Sequence, residues 1–194
     1  MIHVADGAAE ERAKYAEIWS FDEYRNADSP GLINVERFMS VMQPVYGSKL
    51  IDIGCGSGQA GLEFRRRGMQ VSWIDITAAG LDPEVDRSRF TEAPLWADWE
   101  LEFSRPHFDY GFCCDVLEHI PPEYTMLVLD RIIRACTTTW LQIALRPDEF
   151  GKLIGEPLHL TVRPYAWWLV RLATLGTVID ARDLCGDGLF VVTR

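Results

Sequence analysis

The alternation of apolar and polar positions changes rhythm near Lys49. Before it the spacing is helical. Ala9 to Trp19 sets Ala13, Ala16 and Ile18 among charged residues, and Ile33 to Met42 carries Val35, Phe38, Met39 and Met42 on one stripe. Asp28-Ser29-Pro30-Gly31 between them has turn chemistry. After Lys49, short apolar runs alternate with helical segments. Leu50 to Ile53 and Gln70 to Ile76 read as buried strands, joined by a helix that runs to Arg67 and stops at Gly68. Phe90 to Trp96 reads as a weaker third strand and Phe108 to Cys114 as a fourth. Pro121-Pro122 predicts the opening of a helix through Cys136, with Met126, Leu129, Ile133 and Cys136 on one face. Thr138 to Leu145 is a fifth strand. Pro164, placed near the first helical position, predicts a helix to about Thr174. Thr177 to Ala181 and Leu189 to Thr193 are the last two strands.

Strand and helix alternate from Lys49 to Leu145, which implies a parallel sheet with helices on both faces. The gap from Ala181 to Leu189 is too short for a crossover helix, so the final strands are expected as an antiparallel hairpin. The predicted fold is therefore α/β: a doubly wound, mostly parallel sheet of about seven strands under an N-terminal helical lid. No repeat, low-complexity tract or Ser/Gly linker breaks the chain. One domain over residues 1–194 is expected, with 1–45 as a helical cap and 46–194 as the core.

Composition narrows the function. The 194 residues are 48% apolar and 25% charged, the balance of a globular domain. Twenty-nine acids against 19 bases leave a formal charge of -10, which phosphate backbones repel, so nucleic acid is a poor candidate partner. No run reaches the roughly 18 apolar residues of a membrane helix. Met1 to Glu11 lacks a basic region followed by an apolar run, so no secretory leader is expected. Cys55, Cys113, Cys114, Cys136 and Cys185 are odd in number and form no Cys-x-x-Cys pair. They read as reduced thiols packed as small hydrophobes, which implies a cytoplasmic protein. They offer no zinc spacing. Asp109, Asp115 and Glu118 stand on separate elements and give no ligand set, so no metal is expected.

In an open parallel sheet the ligand lies beyond the carboxyl ends of the strands. The loop after the first strand is Asp52-Ile53-Gly54-Cys55-Gly56-Ser57-Gly58-Gln59-Ala60-Gly61. Two chemistries compete for it. Gly56, Gly58 and Gly61 spell the dinucleotide fingerprint, and Asp75 follows about 20 residues on, which keeps a nicotinamide-dependent oxidoreductase as a rival. The same loop is also an acid, Asp52, followed by the alternating glycines Gly54, Gly56 and Gly58. A nearby carboxylate repels a pyrophosphate and attracts an ammonium or a sulfonium. Asp98, after the third strand, stands where a nucleobase amine could be read.

Leu50 to Gln59 resembles the glycine-loop motif of class I S-adenosylmethionine-dependent methyltransferases. Ser72-Trp73-Ile74-Asp75 is similar to their acid at the end of the second strand. Phe108 to Pro121, with Asp115-Val116-Leu117-Glu118-His119, resembles their fourth strand and the segment after it. The resemblance covers residues 50–145 and the two closing strands, and it implies a Rossmann-like core that binds S-adenosylmethionine. It implies that Asp75 accepts hydrogen bonds from the ribose hydroxyls, as a carboxylate can from a vicinal diol. Asp52 would meet the loop amides or the cofactor's amino group. Gly54, Cys55 and Gly56 would lie closest to the methionine part. Asp98 would meet the adenine amine, Trp99 or Trp96 would stack on the base, and Ile76 would cover its other face. Asp115 and Val116 would border the methyl-donor end.

The implied reaction moves a methyl group to an oxygen or nitrogen of a small-molecule acceptor by in-line displacement. It asks the protein for alignment and water exclusion, and for a base only where the acceptor must lose a proton. His159, His119 and Glu118 are the candidates, with His159 preferred because it follows the fifth strand, where acceptor loops lie in this family. His119 could equally cap the next helix. Arg146, Arg163 and Arg171 could bind an anionic acceptor. Tyr15, Trp19, Phe21 and Tyr24 suggest an aromatic lid suited to a cationic sulfur. The competing readings are a non-catalytic cofactor-binding module and the NAD-dependent oxidoreductase.

Overall fold

The computed structural model describes residues 4–99 and 108–194. Three helices lead: α1 (Val4–Ile18), α2 (Asp22–Arg25) and α3 (Pro30–Met42). Ser29 caps α3 through Oγ, which accepts from Leu32 N at 3.3 Å, and Pro30 fills the first turn, where its missing N–H costs nothing. The core follows as β1 (Lys49–Ile53), α4 (Gln59–Arg66), β2 (Gln70–Asp75), β3 (Phe90–Glu92), β4 (Phe108–Cys114), α5 (Thr125–Ala135), β5 (Cys136–Ala144), α6 (Tyr165–Leu175), β6 (Thr177–Asp183) and β7 (Asp187–Thr193).

The strands form one sheet in the order β3-β2-β1-β4-β5-β7-β6. The first five are parallel. β7 is antiparallel to both β5 and β6, as the short 181–189 gap predicts. Each sheet face carries its own core. α3 and α4 cover one face with Phe38, Phe64 and Phe112, whose rings meet edge to face at 4.9–5.6 Å. α5 and α6 cover the other with Leu129, Ile133, Trp168 and Leu172. Burial of each such side chain contributes about 1.5–3 kcal/mol.

Several boundaries differ from the sequence reading, each for a local reason. α2 interrupts a segment read only as aromatic-rich. β3 stops at Glu92, because Pro94 brings no N–H to the ladder. Pro121 and Pro122 make a turn closed by Tyr124 N on Pro121 O at 2.9 Å, and α5 starts only at Thr125. Its inward face is Val128, Leu129, Ile132 and Ile133. Met126 is 39% exposed, and Cys136 opens β5 beside Phe108 instead of ending the helix. Pro164 caps α6 in extended backbone (ψ 155°) and is not its first helical residue. Among the thiols, Cys185 is exposed in the β6–β7 turn at φ 55°; Cys113, Cys114 and Cys136 are buried as expected.

The topological switch falls between β1 and β4. Successive crossovers leave β1 in opposite directions there, and the strand ends open a crevice.

Candidate active site

The loop after β1 hooks over β2. Gly54 N and Cys55 N both donate to Ile74 O, at 2.8 and 3.1 Å. Gly54 takes φ +66°, and a Cβ there would stand 2.4 Å from Val116 Cγ2, so only glycine fits. Asp75, at the end of β2, faces this loop. Its Oδ2 accepts from Gly56 N at 2.8 Å and its Oδ1 from Thr77 N at 3.2 Å. Burial pushes its carboxyl up to about 6, against those amides, which pull it down. A loop N–H that a pyrophosphate would need is thus already held by a carboxylate. Gly61, the third glycine of the dinucleotide spelling, serves packing: its Cβ would lie 2.0 Å from Trp73 Nε1.

Asp52 sits beneath the loop, and its Oδ2 accepts from Gly61 N at 2.9 Å. Burial pushes its carboxyl up to about 8. The Gly61 bond opposes this, and the charge of Asp75 adds to it. A folded-state pKa above the unfolded value means that the stability from holding the proton is present in acid and lost as pH rises. The window runs from about 4 to about 8. Asp52→Asn keeps an acceptor for Gly61 N and removes that loss. In urea unfolding the variant is expected to be more stable than the parent at pH 9, by on the order of a few kcal/mol, with the gap shrinking toward pH 5. A variant less stable at pH 9 would contradict the assignment.

A cleft of about 610 Å³, counted to its open mouth, lies beyond the strand ends. Its floor is Gly54, Gly56, Asp75 and Ile76, and its far wall Asp115, Val116, His119 and Ile120. Asp115 has φ +59°, a strained conformation that Asp tolerates better than most residues, and it also borders an adjoining cleft of about 930 Å³ beside Asp52 and Cys55. Leu95 and Trp96 close the side next to Ile76. Trp96 stacks on Tyr124 (5.4 Å, 6°), and its Nε1 is buried with no partner among the described residues.

Tyr15, Trp19 and Tyr24 line the cleft from the N-terminal segment; Phe21 does not. Trp19 presses toward Gly56 and Gly80 and meets Tyr24 edge to face at 4.9 Å. Arg12 Nε donates to Ile76 O at 3.0 Å, and Tyr15 Oη lies 2.7 Å from His119 Nδ1. Leu158 O also lies 3.1 Å from that nitrogen. A carbonyl oxygen only accepts, so Nδ1 carries the proton and Nε2 keeps its lone pair. Burial, and then His159, pull the His119 pKa down to about 4. The ring is neutral near pH 7.

The two candidate histidines come together. The backbone oxygen of Glu118 accepts from Leu160 N and Thr161 N, which docks the loop after β5 against the turn after β4. His119 and His159 then meet edge to face at 4.6 Å. His159 does not line the cleft itself; His119 stands between. Glu118 is fully buried and accepts from Ala144 N at 2.7 Å. Burial, and then Asp115, push its carboxyl well up, so it is poorly suited as a base. One donor atom each from Glu118, His119 and His159 lies within 4.8 Å of the others. Residues some 40 positions apart give no spacing signal, so this grouping is absent from the sequence reading.

Other candidates stand elsewhere. Asp98 is 69% exposed and paired with Arg131 of α5, outside both clefts, because the turn after Pro94 carries it outward. Trp99 is 1% exposed in the core, with Nε1 donating to Leu95 O at 3.0 Å, so Trp96 and not Trp99 faces the cleft. The three arginines do not form one group, and none of them lines either cleft. Arg146 pairs with Asp187, while Arg163 and Arg171 flank the Trp167 ring at 5.8 and 3.5 Å. Sequence reasoning missed Leu95, Glu11 and Ile120 as cleft residues; the apolar step after Pro94 was the available signal for Leu95. No helix among the described residues is long and apolar enough to cross a membrane.

Residues 51–138 match the methyltransferase domain family. The chain is 35% identical over 131 residues to a ubiquinone biosynthesis O-methyltransferase of Stutzerimonas stutzeri, covering 64% of this chain and 50% of that protein. It spans about half the length of the curated relatives it matches. Two solved structures share the fold across the whole chain. One is magnesium protoporphyrin IX methyltransferase of Synechocystis, with bound S-adenosylmethionine (TM-score 0.70, 15% identity, 100% of both chains). The other is the Burkholderia thailandensis 1,6-didemethyltoxoflavin-N1-methyltransferase, with S-adenosylhomocysteine (TM-score 0.69, 16% identity, 100% of this chain and 91% of that one). Residues 51–138 thus resemble the methyltransferase domain family, and the fold of the chain is the one these two solved methyltransferases share.

Proposed function

We propose that the protein transfers a methyl group from S-adenosylmethionine to an oxygen or nitrogen of a small-molecule acceptor. The observation that carries this is the Asp75 carboxylate, buried at the end of β2, bonded to Gly56 N and facing the same cleft as Asp115. The residues fit such a donor. Gly54 and Gly56 put bare loop backbone along the cleft floor, with Val116 packed directly against Gly54, and Ile76, Leu95 and Trp96 give the cleft an apolar end. In this reading Asp75 receives the ribose hydroxyls, while Ile76, Leu95 and Trp96 enclose the adenine. Gly54, Cys55 and Gly56 run beside the methionine part, over Asp52. Asp115 and Val116 border the sulfonium.

The sulfonium supplies the leaving group, so the protein's work is alignment and dryness. Tyr15, Trp19 and Tyr24 exclude water and offer π-faces to the cation. The acceptor enters on the His119 side. The lone pair on His119 Nε2 accepts its hydroxyl or amine proton in a hydrogen bond and aims the nucleophile at the methyl carbon. His159 packs on that ring and holds it in place. The names of the curated relatives favour oxygen over nitrogen as the attacked atom.

Calorimetry with S-adenosylmethionine and S-adenosylhomocysteine tests the donor, with micromolar affinity expected, about -8 kcal/mol. Failure to bind either overturns the proposal. Release of label from methyl-labelled donor to a panel of phenols, alcohols and amines tests the transfer. Tight binding with no transfer to any of them would favour the non-catalytic module.

A further inference from the structure

The meeting of Glu118, His119 and His159 is more than the proposed methyl transfer uses. Their donor atoms all lie within 4.8 Å of one another. Both imidazoles set Nδ1 against a backbone carbonyl. His159 Nδ1 lies 2.6 Å from Arg146 O, and His119 Nδ1 lies 3.1 Å from Leu158 O and 2.7 Å from Tyr15 Oη. Each Nδ1–H donates to its carbonyl, which leaves Nε2 as the ligand atom of each ring. A second nitrogen anchored on a carbonyl is how proteins orient metal-binding histidines. The loop is itself braced: Asp148 Oδ2 accepts from Leu158 N and His159 N, at 2.9 and 3.1 Å.

Glu118 supplies an independent sign. Its side chain is fully buried. Oε1 takes Ala144 N, and the side chain shares a hydrogen bond with Asp115, so two acids meet here while the nearby Arg146 is engaged by Asp187. Two acids so placed hold a proton between them or take a cation in its place.

We propose that Glu118, His119 and His159 bind one divalent transition-metal ion at the acceptor side of the cleft. Two imidazoles with one carboxylate suit Zn²⁺, Co²⁺ or Mn²⁺ better than Mg²⁺ or Ca²⁺, which take all-oxygen sets. Three protein ligands leave a position open, and His119 stands on the cleft wall, so an acceptor oxygen can fill it. The role, unlike the site, rests on the methyltransferase reading, and in it coordination through the ion replaces the direct hydrogen bond from the acceptor to His119 Nε2. A coordinated hydroxyl gives its proton to water, its oxygen bonds to the methyl carbon, and the carbon–sulfur pair returns to sulfur as a thioether.

The experiment uses chelator-stripped protein titrated with Co²⁺ by visible absorption and with Zn²⁺ by calorimetry. Saturable binding of one equivalent is expected, with ligand-field bands for Co²⁺ and a thermal midpoint raised by Zn²⁺. His159→Ala, a half-buried loop change, is expected to weaken binding at least tenfold and abolish the midpoint shift. Cys185→Ser, at the exposed thiol, is expected to leave both unchanged. No saturable binding by the parent, equal binding by His159→Ala, or binding lost in Cys185→Ser would overturn the proposal. S-adenosylhomocysteine titrated into the same proteins keeps the two readings apart. Its binding tests the donor site, whatever the metal does.

Discussion

Asp75→Ala is expected to lose at least a hundredfold in affinity for S-adenosylhomocysteine. A carboxylate that accepts two hydroxyls of a diol makes two charge-assisted bonds, each contributing about 1.5–3 kcal/mol. Losing both gives a factor of roughly a hundred or more. The loss is compounded because Asp75 Oδ2 also fixes Gly56 N, so the loop itself loosens. Asp75→Asn, which keeps the shape and one acceptor oxygen, should fall between parent and alanine variant. Acid should act in the same direction. With the carboxyl pushed up to about 6, protonation sets in below that pH, and affinity in the parent should fall there while staying flat in Asp75→Asn. Calorimetry across pH 5 to 8 reads both effects. Equal affinity for parent and Asp75→Ala would remove the carboxylate from the donor site.

The largest stability effect is expected at Gly61→Val. α4 lies so close to β2 that even a Cβ at residue 61 would stand 2.0 Å from Trp73 Nε1 and 2.7 Å from Cε2. Trp73 has nowhere to go. It is fully buried, and its Nε1 donates to Gly58 O at 3.2 Å. Overpacking costs about 1–3 kcal/mol, and breaking the indole bond adds about 1 more. A drop of roughly 3 kcal/mol or more in urea unfolding is expected, with the denaturant slope little changed. Gly7 in α1 is the contrast, since a Cβ there would meet nothing within 4 Å; Gly7→Ala should be neutral or slightly stabilising. A mild Gly61→Val would mean that α4 can slide on the sheet.

The parallel core is legible in the sequence because that core is local. Each βα unit announces itself by a change of period, and the short 181–189 gap dictates the hairpin. Asp75 is legible for the same reason: a strand-end acid must face the crevice. Gly61 is ambiguous on paper, since one glycine pattern serves both a diphosphate loop and tight helix–strand packing, and only Trp73 beneath it decides. Asp98 and Trp99 are misplaced by any reading that extends the third strand past Pro94. Once β3 stops at Glu92, the intervening turn sends Asp98 out to Arg131 and Trp99 into the core. The pairing of His119 with His159 depends on two loops docking through Glu118 O, a contact with no periodicity to betray it.

The way α1 is fastened has a consequence for turnover. The donor cleft has Glu11, Tyr15 and Trp19 on one side and the glycine loop on the other. Arg12 and Tyr15 tie the helix to the end of β2 and to His119. Under the proposed function, a nucleoside held at Asp75 would lie against this helix, and loosening the two ties would widen the way out for the spent donor and the way in to His119 together.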